Sequence, residues 1–431
     1  MHRYPARLTP YIPLYFLGVS GVAVKGGRLL DPFAGCGTVL VEAPVHFCNP
    51  MTAVGLEINP LARLIAKVKT TPVDRRALRA AWARVQARYE TDRGRAGLSE
   101  FPNKRHWFTA PVERRLAKVI RAFGGLRDAD IRDFLLVALS SVVRRVALAD
   151  PRVSVPVILD PTRFDDKTRR KSVEAEIKTR SDADVFAMLE QAVSMNLDRL
   201  QLWSTAVGVS GPSASIVGMD ARTFALSEYL EAGNMGAPGV ACVENLDLVL
   251  TSPPYANAQR YTRSLRLELF ALGFAQDASD EAVLDRLQVG TERIAKRERE
   301  KYYAASGSNT ADLAVRAIRR DDPYRAAIVG KYVRDMCQVV ENCYRALKPG
   351  AHAIFVLGNN CVRGRILDNT AIMLELGKAA GFDDVLVVKN RIPSRGLLTK
   401  RHPTAGVITH EHVLVLKKPS GRSRAREQRR V

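Results

Sequence analysis

Arg28-Leu29-Leu30-Asp31-Pro32-Phe33-Ala34-Gly35-Cys36-Gly37-Thr38 is the stretch on which the fold turns. Arg28 to Asp31 reads as a short buried strand ending in an acid, Pro32 to Gly37 as a glycine-bearing turn, and the residues from Thr38 onward as a helix. Strand, tight turn, helix is how a nucleoside-binding α/β half begins. Gly35 and Gly37 let the backbone pass close to a ligand at the carboxyl end of the strand, and Asp31 can hold a cationic or hydroxyl-bearing group there. No Gly-Lys-Ser/Thr follows, which excludes a triphosphate loop. Thr52 to Leu56 predicts a second strand ending in Glu57, and Pro60, behind Asn59 as cap, opens a helix carrying Leu61, Leu64, Ile65 and Val68. Glu57 lies roughly 20 residues past the turn, the spacing at which such folds set an acid on ribose hydroxyls.

Further along, residues 74–202 change to a helical period, with Trp82, Leu116, Ile120, Phe134, Leu135 and Leu139 recurring among Arg-rich faces. Strand character returns at Ser215 to Gly218, which places Asp220 at a third strand end within reach of an adenine amine. It returns again at Leu246 to Leu250, which runs into Ser252-Pro253-Pro254-Tyr255. Arg286 to Arg325 is polar and basic, with little apolar periodicity around Ser306 to Thr310, and is expected to be a mobile or ligand-ordered insertion. A helix from Ile328 to Leu347, a strand from Ala353 to Leu357, a helix from Thr370 to Ala380 and strands at Val385–Val388 and Glu411–Leu416 follow, the last two as a closing antiparallel pair. The division expected is 1–73 and 203–285 as the two halves of the ligand-binding sheet, 74–202 as a helical insertion, 286–327 as a basic insertion, 328–418 as the rest of the sheet domain, and 419–431 as a basic disordered tail.

The chain has 431 residues, 66 Lys plus Arg against 45 Asp plus Glu, a net charge of +21 and an apolar share of 46%. That is a folded, basic protein suited to a polyanionic partner. No apolar run reaches membrane-crossing length and MHRYPARLTP lacks the order of a secretory signal, so a cytoplasmic protein without membrane attachment is expected. The six cysteines form no Cys-x-x-Cys pair, and His410 and His412 alternate on a strand without a third ligand, so no metal site is expected. No cysteine follows a proline, so a Pro-Cys nucleophile for attack on a pyrimidine ring carbon is absent.

Ser252-Pro253-Pro254-Tyr255 ends an apolar strand. Two prolines offer no amide hydrogens and stiffen the backbone, so the carbonyls of Ser252 and Pro253 can be held out as acceptors for an amino group. Tyr255 offers a rigid face for a flat ring, a contact worth about 1–3 kcal/mol for a nucleobase.

With Asp31-Pro32-Phe33-x-Gly35-x-Gly37-Thr38, Ser252-Pro253-Pro254-Tyr255 and the opening His2-x-Tyr4-Pro5-Ala6 in one chain, the sequence resembles the S-adenosylmethionine-dependent amino-methyltransferases of DNA. The resemblance covers about half the chain, chiefly the sheet, and begins at the first residue, which leaves room for a start upstream. It implies a Rossmann-like methyltransferase fold, an α/β protein with a mostly parallel seven-stranded sheet and an inserted helical domain. It also implies an S-adenosylmethionine pocket formed by Tyr4, Pro5, Asp31, Phe33, Gly35, Gly37, Thr38, Glu57 and Asp220, with Ser252, Pro253, Pro254 and Tyr255 catalytic. Asn257, Arg260 and Tyr261 are expected to line the same cleft, with Glu268, Leu269 and Phe270 packing behind the cofactor. The implied substrate is a base flipped from duplex DNA. The serine of the catalytic motif goes with the N4 amine of cytosine, against the alternatives of adenine N6, a base in RNA, or a nucleic-acid-binding protein without activity. The resemblance leaves room for a partner restriction nuclease, as in restriction-modification, whose existence the sequence does not reveal. The helical block is expected to read the target through Lys104, Arg105, His106, Trp107 and Phe108, with Arg144-Arg145 and Arg169-Arg170-Lys171 as further cations.

Overall fold

The structure, a computed structural model, describes residues 1–2, 4, 7–224, 245–256, 261–392 and 409–420. Strand β1 (Arg28–Asp31) sits mid-sheet, fully apolar at Leu29 and Leu30. It pairs in parallel with β2 (Thr52–Leu56) from Arg28↔Thr52 to Asp31↔Gly55, and β2 pairs in parallel with β3 (Ala214–Gly218). On its other side β1 pairs with β4 (Leu246–Thr251), and β4 with β5 (Leu347–Gly358), again in parallel. Two short strands, β6 (Asn360–Val362) and β7 (Arg365–Leu367), make a separate hairpin. Strand β9 (His410–Lys417) runs antiparallel to β5 and to β8 (Asp383–Arg391), closing the order β3-β2-β1-β4-β5-β9-β8.

This is a Rossmann-like α/β architecture in which only β9 of the seven strands is reversed. Its order has a physical consequence. The chain winds outward from β1 through β2 to β3, and in the opposite direction from β4 to β5, so the connections diverge between β1 and β4. A crevice opens at the carboxyl ends of strands where winding reverses. The glycine turn after β1 and the motif after β4 both issue into that crevice.

Helices α1 (Tyr11–Gly18), α2 (Thr38–Val45) and α3 (Pro60–Thr70) flank this half of the sheet. Helix α3 starts where the sequence predicts, with Asn59 Oδ1 accepting from the amides of Leu61 and Ala62 and Pro60 in the first turn. The helical block comprises α4 (Arg75–Thr91), α5 (Lys104–Trp107), α6 (Ala110–Phe123), α7 (Ala129–Val146), α8 (Lys167–Ser181) and α9 (Val185–Val207). Its core of Leu116, Phe134, Leu135, Leu139 and Leu189 is continuous with Leu61 and Ile65 of α3, so the block and the sheet share one apolar interior on this side. A second core, around Tyr332, Met336, Phe355 and Leu376, joins the sheet to the helices Pro323–Ala346 and Asn369–Ala380.

The structure departs from the sequence reading in three places. Within the basic segment expected to be mobile, Asn309–Asp321 is a helix. Ser308 caps it by accepting from the Ala311 amide, and Ala311, Val315 and Ile318 are buried at helical spacing. Only three apolar positions anchor it, which a reading of mean polarity passes over. The β6–β7 hairpin turns on Arg363 and Gly364, both at positive φ (51° and 75°), a two-residue turn that suits the twist of paired strands. Finally, β5 starts at Leu347, directly after the preceding helix, so Lys348-Pro349-Gly350 belong to the strand.

Candidate active site

Asp31, the last residue of β1, is 3% exposed. Its Oδ1 accepts from the hydroxyl of Thr251 at 2.6 Å and from the Phe33 amide at 3.1 Å. Burial drives the carboxyl up to about 7, with those two hydrogen bonds acting the other way. Thr251 closes β4, so the two central strand ends are tied together at the floor of the crevice. The sequence reading did not single out Thr251; its position directly before Ser252 was the available signal.

The turn above Asp31 is shaped by its glycines. Gly37 has φ +81°, and a Cβ there would lie 3.0 Å from Cβ of Ala66, so the turn can press onto α3 only with glycine. Gly35, at φ +53°, donates its amide to Oε2 of Glu57 at 2.8 Å, while Oε1 of Glu57 accepts from the Asn59 amide at 2.7 Å. Each Glu57 oxygen retains acceptor capacity toward the cleft. Burial raises this carboxyl to about 7, against the pull of the two amides.

An open cleft of about 660 Å³, mouth included, is lined by Tyr4, Phe33, Gly35, Glu57, Ser252 and Pro254 together with Met219, Asp220, Tyr261 and Gln288. A smaller recess on the other side of Phe33 and Gly35 is lined by Asp31, Thr38, Arg7 and again Tyr4 and Ser252. The two spaces share Tyr4, Phe33, Gly35 and Ser252, so residues expected of a cofactor pocket border both, together with the serine of the catalytic motif. Pro5, Asn257 and Arg260 lie outside the described residues.

Around the motif, the Ser252 hydroxyl donates to the Val356 carbonyl at 3.2 Å. With its proton spent there, the oxygen can present lone pairs to the cleft. Pro253 is buried and Tyr255 is half-buried. Burial first, then the nearby Glu411 and Tyr261, hold the Tyr255 phenol well above its ordinary range, with Ser252 acting the other way. Tyr255 stands beside Ser252 and is absent from the residues lining the larger cleft, where Tyr261 supplies the aromatic wall. Burial and the neighbouring Glu57 likewise raise the Tyr261 phenol.

Asp220 lines the cleft, but its carboxylate is gripped by Arg222, whose Nη2 lies 2.7 Å from Oδ2 and whose amide and Nε reach Oδ1 at 2.9 Å. Burial pushes Asp220 up, and the Arg222 contacts overcome it and hold the group below its ordinary value. Arg222 also donates to the Leu287 carbonyl at 2.8 Å. Leu287, Gln288 and Val289, which the sequence reading left unmarked, line the same cleft as Glu57; nothing in their local pattern announced that role.

The basic candidates of the helical block divide. Lys104 is buried, its ammonium donating to the Leu98 carbonyl at 3.0 Å and lying 2.7 Å from both Glu100 and Glu113; Phe108 is core. Arg144 turns inward and donates to the carbonyls of Val153 and Ser154. Arg105, His106, Arg145, Arg169, Arg170 and Lys171 remain exposed. Part of the expected basic and aromatic surface is thus internal scaffolding, because a short helix can face solvent with only some of its residues. Among the described residues no helix is long and apolar enough to cross a membrane, and no group of three or more His, Cys, Asp or Glu side chains is placed to hold a metal.

No protein-family profile matches the chain. It is similar to the Type II methyltransferase M.MvaI of Kocuria varians, 22% identical over 435 residues that span 96% of this chain and 90% of that one. Among solved structures it matches a proposed DNA modification methylase of Thermus thermophilus complexed with S-adenosyl-L-methionine, at 17% identity and TM-score 0.22, covering 49% of this chain and 60% of that one. It also matches the rRNA methyltransferase AviRa of Streptomyces viridochromogenes at 10% identity and TM-score 0.30, covering 96% and 88%. Scores this low carry no weight for architecture, which stands on the strand order itself. What the chain resembles along nearly its whole length is a Type II methyltransferase.

Proposed function

We propose that this protein is an S-adenosylmethionine-dependent methyltransferase that acts on the exocyclic amine of a flipped base in DNA, with N4 of cytosine as the first substrate. The observation that carries the reading is that Gly35 and Ser252 line both the cleft that holds Glu57 and Pro254 and the recess that holds Asp31, at the divergence of β1 and β4. Methyl transfer as such is supported by the likeness to a Type II methyltransferase over nearly the entire chain.

The residues present fit the cofactor. A backbone free of Cβ at Gly35 allows close approach, Glu57 has acceptor capacity for ribose hydroxyls, and Asp31 supplies negative charge at the cleft floor. Bound there, S-adenosylmethionine supplies an electrophilic methyl group on a positively charged sulfur.

On the other wall, Ser252 and the Pro253 carbonyl accept hydrogen bonds from the substrate amine. An aryl amine's lone pair is delocalised into its ring, so holding both hydrogens on acceptors draws the nitrogen toward tetrahedral geometry and aims the pair at the methyl group. Val356, by taking the Ser252 proton, keeps that oxygen an acceptor. Tyr255 and Tyr261 provide apolar faces that offset the few kcal/mol needed to extrude a base.

The deciding experiment is incubation with S-adenosylmethionine and mixed-sequence duplex DNA, then digestion to nucleosides and identification by mass. N4-methylcytosine supports the whole reading, and N6-methyladenine keeps the mechanism but replaces the base. Methylation of folded RNA alone, or no product despite cofactor binding, rejects a DNA substrate.

A further inference from the structure

His2 and Glu268 meet in the interior. His2 Nε2 lies 3.8 Å from Oε1 of Glu268, and both side chains are only 2% exposed. Among the described residues neither ring nitrogen of His2, nor Oε2 of Glu268, has a hydrogen-bond partner. Enclosing two polar side chains is unfavourable unless they satisfy each other. Two residues after His2, Tyr4 borders both the larger cleft and the recess, its Cε1 lying 3.7 Å from where a Cβ on Gly35 would stand. Glu268 sits in the short helix Arg266–Ala271 that follows the catalytic motif and packs on α7.

We propose that His2 and Glu268 are a buried positioning pair that holds Tyr4 in the wall of the cofactor cleft and so joins that wall to the segment following Ser252–Tyr255. The inference rests on reading the cleft as the cofactor site. Burial pushes His2 down to about 3 and Glu268 up to about 7; the positive charge of Arg144 adds to the first shift and opposes the second. A neutral imidazole therefore faces the Glu268 carboxyl at 3.8 Å, beyond hydrogen-bond length. Arg144, fixed by the Val153 and Ser154 carbonyls, brings the helical block to the same node.

The test uses the full chain and the variants His2→Phe, Glu268→Leu, their double variant, and Glu268→Gln, which keeps a neutral hydrogen-bonding group. S-adenosylmethionine Kd by calorimetry, KM and kcat, and hydrogen exchange of the peptide containing Tyr4 are measured for each. The expected result is a rise of about 10-fold in Kd and KM for each apolar variant, the cost of leaving the remaining buried polar group against an apolar side chain, with kcat at saturation within about 2-fold. The double variant should be no worse than either single, Glu268→Gln should bind nearly as the parent does, and exchange around Tyr4 should accelerate only where the pair is broken. Unchanged affinity and exchange in the apolar variants, or additive losses in the double variant, would overturn the pairing. If Glu268→Leu does not fold, His2→Ala is read in its place. If the parent itself fails to bind S-adenosylmethionine, the cofactor reading falls, while exchange around Tyr4 still decides the pair.

Discussion

The hydroxyl of Thr251 donates to the buried carboxylate of Asp31 over 2.6 Å, joining residues 220 positions apart at the adjoining ends of β4 and β1. The catalytic motif starts one residue after Thr251 and the glycine turn one residue after Asp31, so a single contact sets the two halves of the candidate site in register. Asp31→Ala should weaken S-adenosylmethionine binding by roughly 10- to 100-fold, the range for losing hydrogen bonds to a charged group. Thr251→Val should give a smaller loss of the same sign. Isothermal calorimetry checks both, and equal binding by Asp31→Ala and the parent would remove Asp31 from the cofactor site.

Asp31 and Glu57 both titrate near 7, above the ordinary 3.8 and 4.5. A carboxyl raised by folding favours the protonated state, so its contribution to stability is complete below the ordinary value and is lost as pH rises through about 7. Without cofactor, the Tm should therefore fall between about pH 4 and pH 7 from these groups. Cofactor affinity, which draws on their negative charge, should rise over the same span with proton release on binding. Asp31→Asn should flatten part of both trends; affinity independent of pH in the parent would contradict the assignment.

Tyr255→Ala should impair capture of the base while leaving cofactor Kd within about 2-fold, because Tyr255 stands beside Ser252 and outside the lining of the larger cleft. The loss in kcat/KM for nucleic acid should be about 1–3 kcal/mol, the value of one stacking face. Tyr261→Ala, in a residue that borders Glu57's cleft, should raise cofactor Kd as well. Steady-state kinetics with each substrate varied in turn separates the two.

Gly37→Ala should destabilise the protein by roughly 1–3 kcal/mol, since a Cβ is strained at φ +81° and meets Ala66 at 3.0 Å. Gly273→Ala, at φ +78° with nothing within 4 Å, provides the control for strain alone and should cost about 1 kcal/mol. Urea unfolding of the pair measures the difference that the packing against α3 makes.

Lys104→Ala should lower stability by about 1–3 kcal/mol, since it removes the buried ammonium that pairs with the partly buried Glu113 and donates to the Leu98 carbonyl. Arg105→Ala should leave stability nearly unchanged and reduce the salt dependence of DNA binding if that exposed side chain meets phosphate. Fluorescence anisotropy across a salt series tests this, and an unchanged slope would turn attention to the cations of the segment 286–325.

The sheet and the placement of its two motifs were legible in the chain because each depends on neighbours in sequence. Apolar runs end in Asp31 and Thr251, glycines stand where the turn needs positive φ, and Asn59 and Pro60 open α3. Local chemistry also made Glu57 and Ser252 candidates before any contact was seen. What only the tertiary structure decided is which groups meet across long separations, Thr251 with Asp31, Arg222 with Leu287 and His2 with Glu268, and that Lys104 turns inward. A charged side chain has the same sequence signature whether it meets solvent or a buried partner. Its burial is set by the order in which strands and helices pack, and that order is a property of the whole fold rather than of any stretch within it.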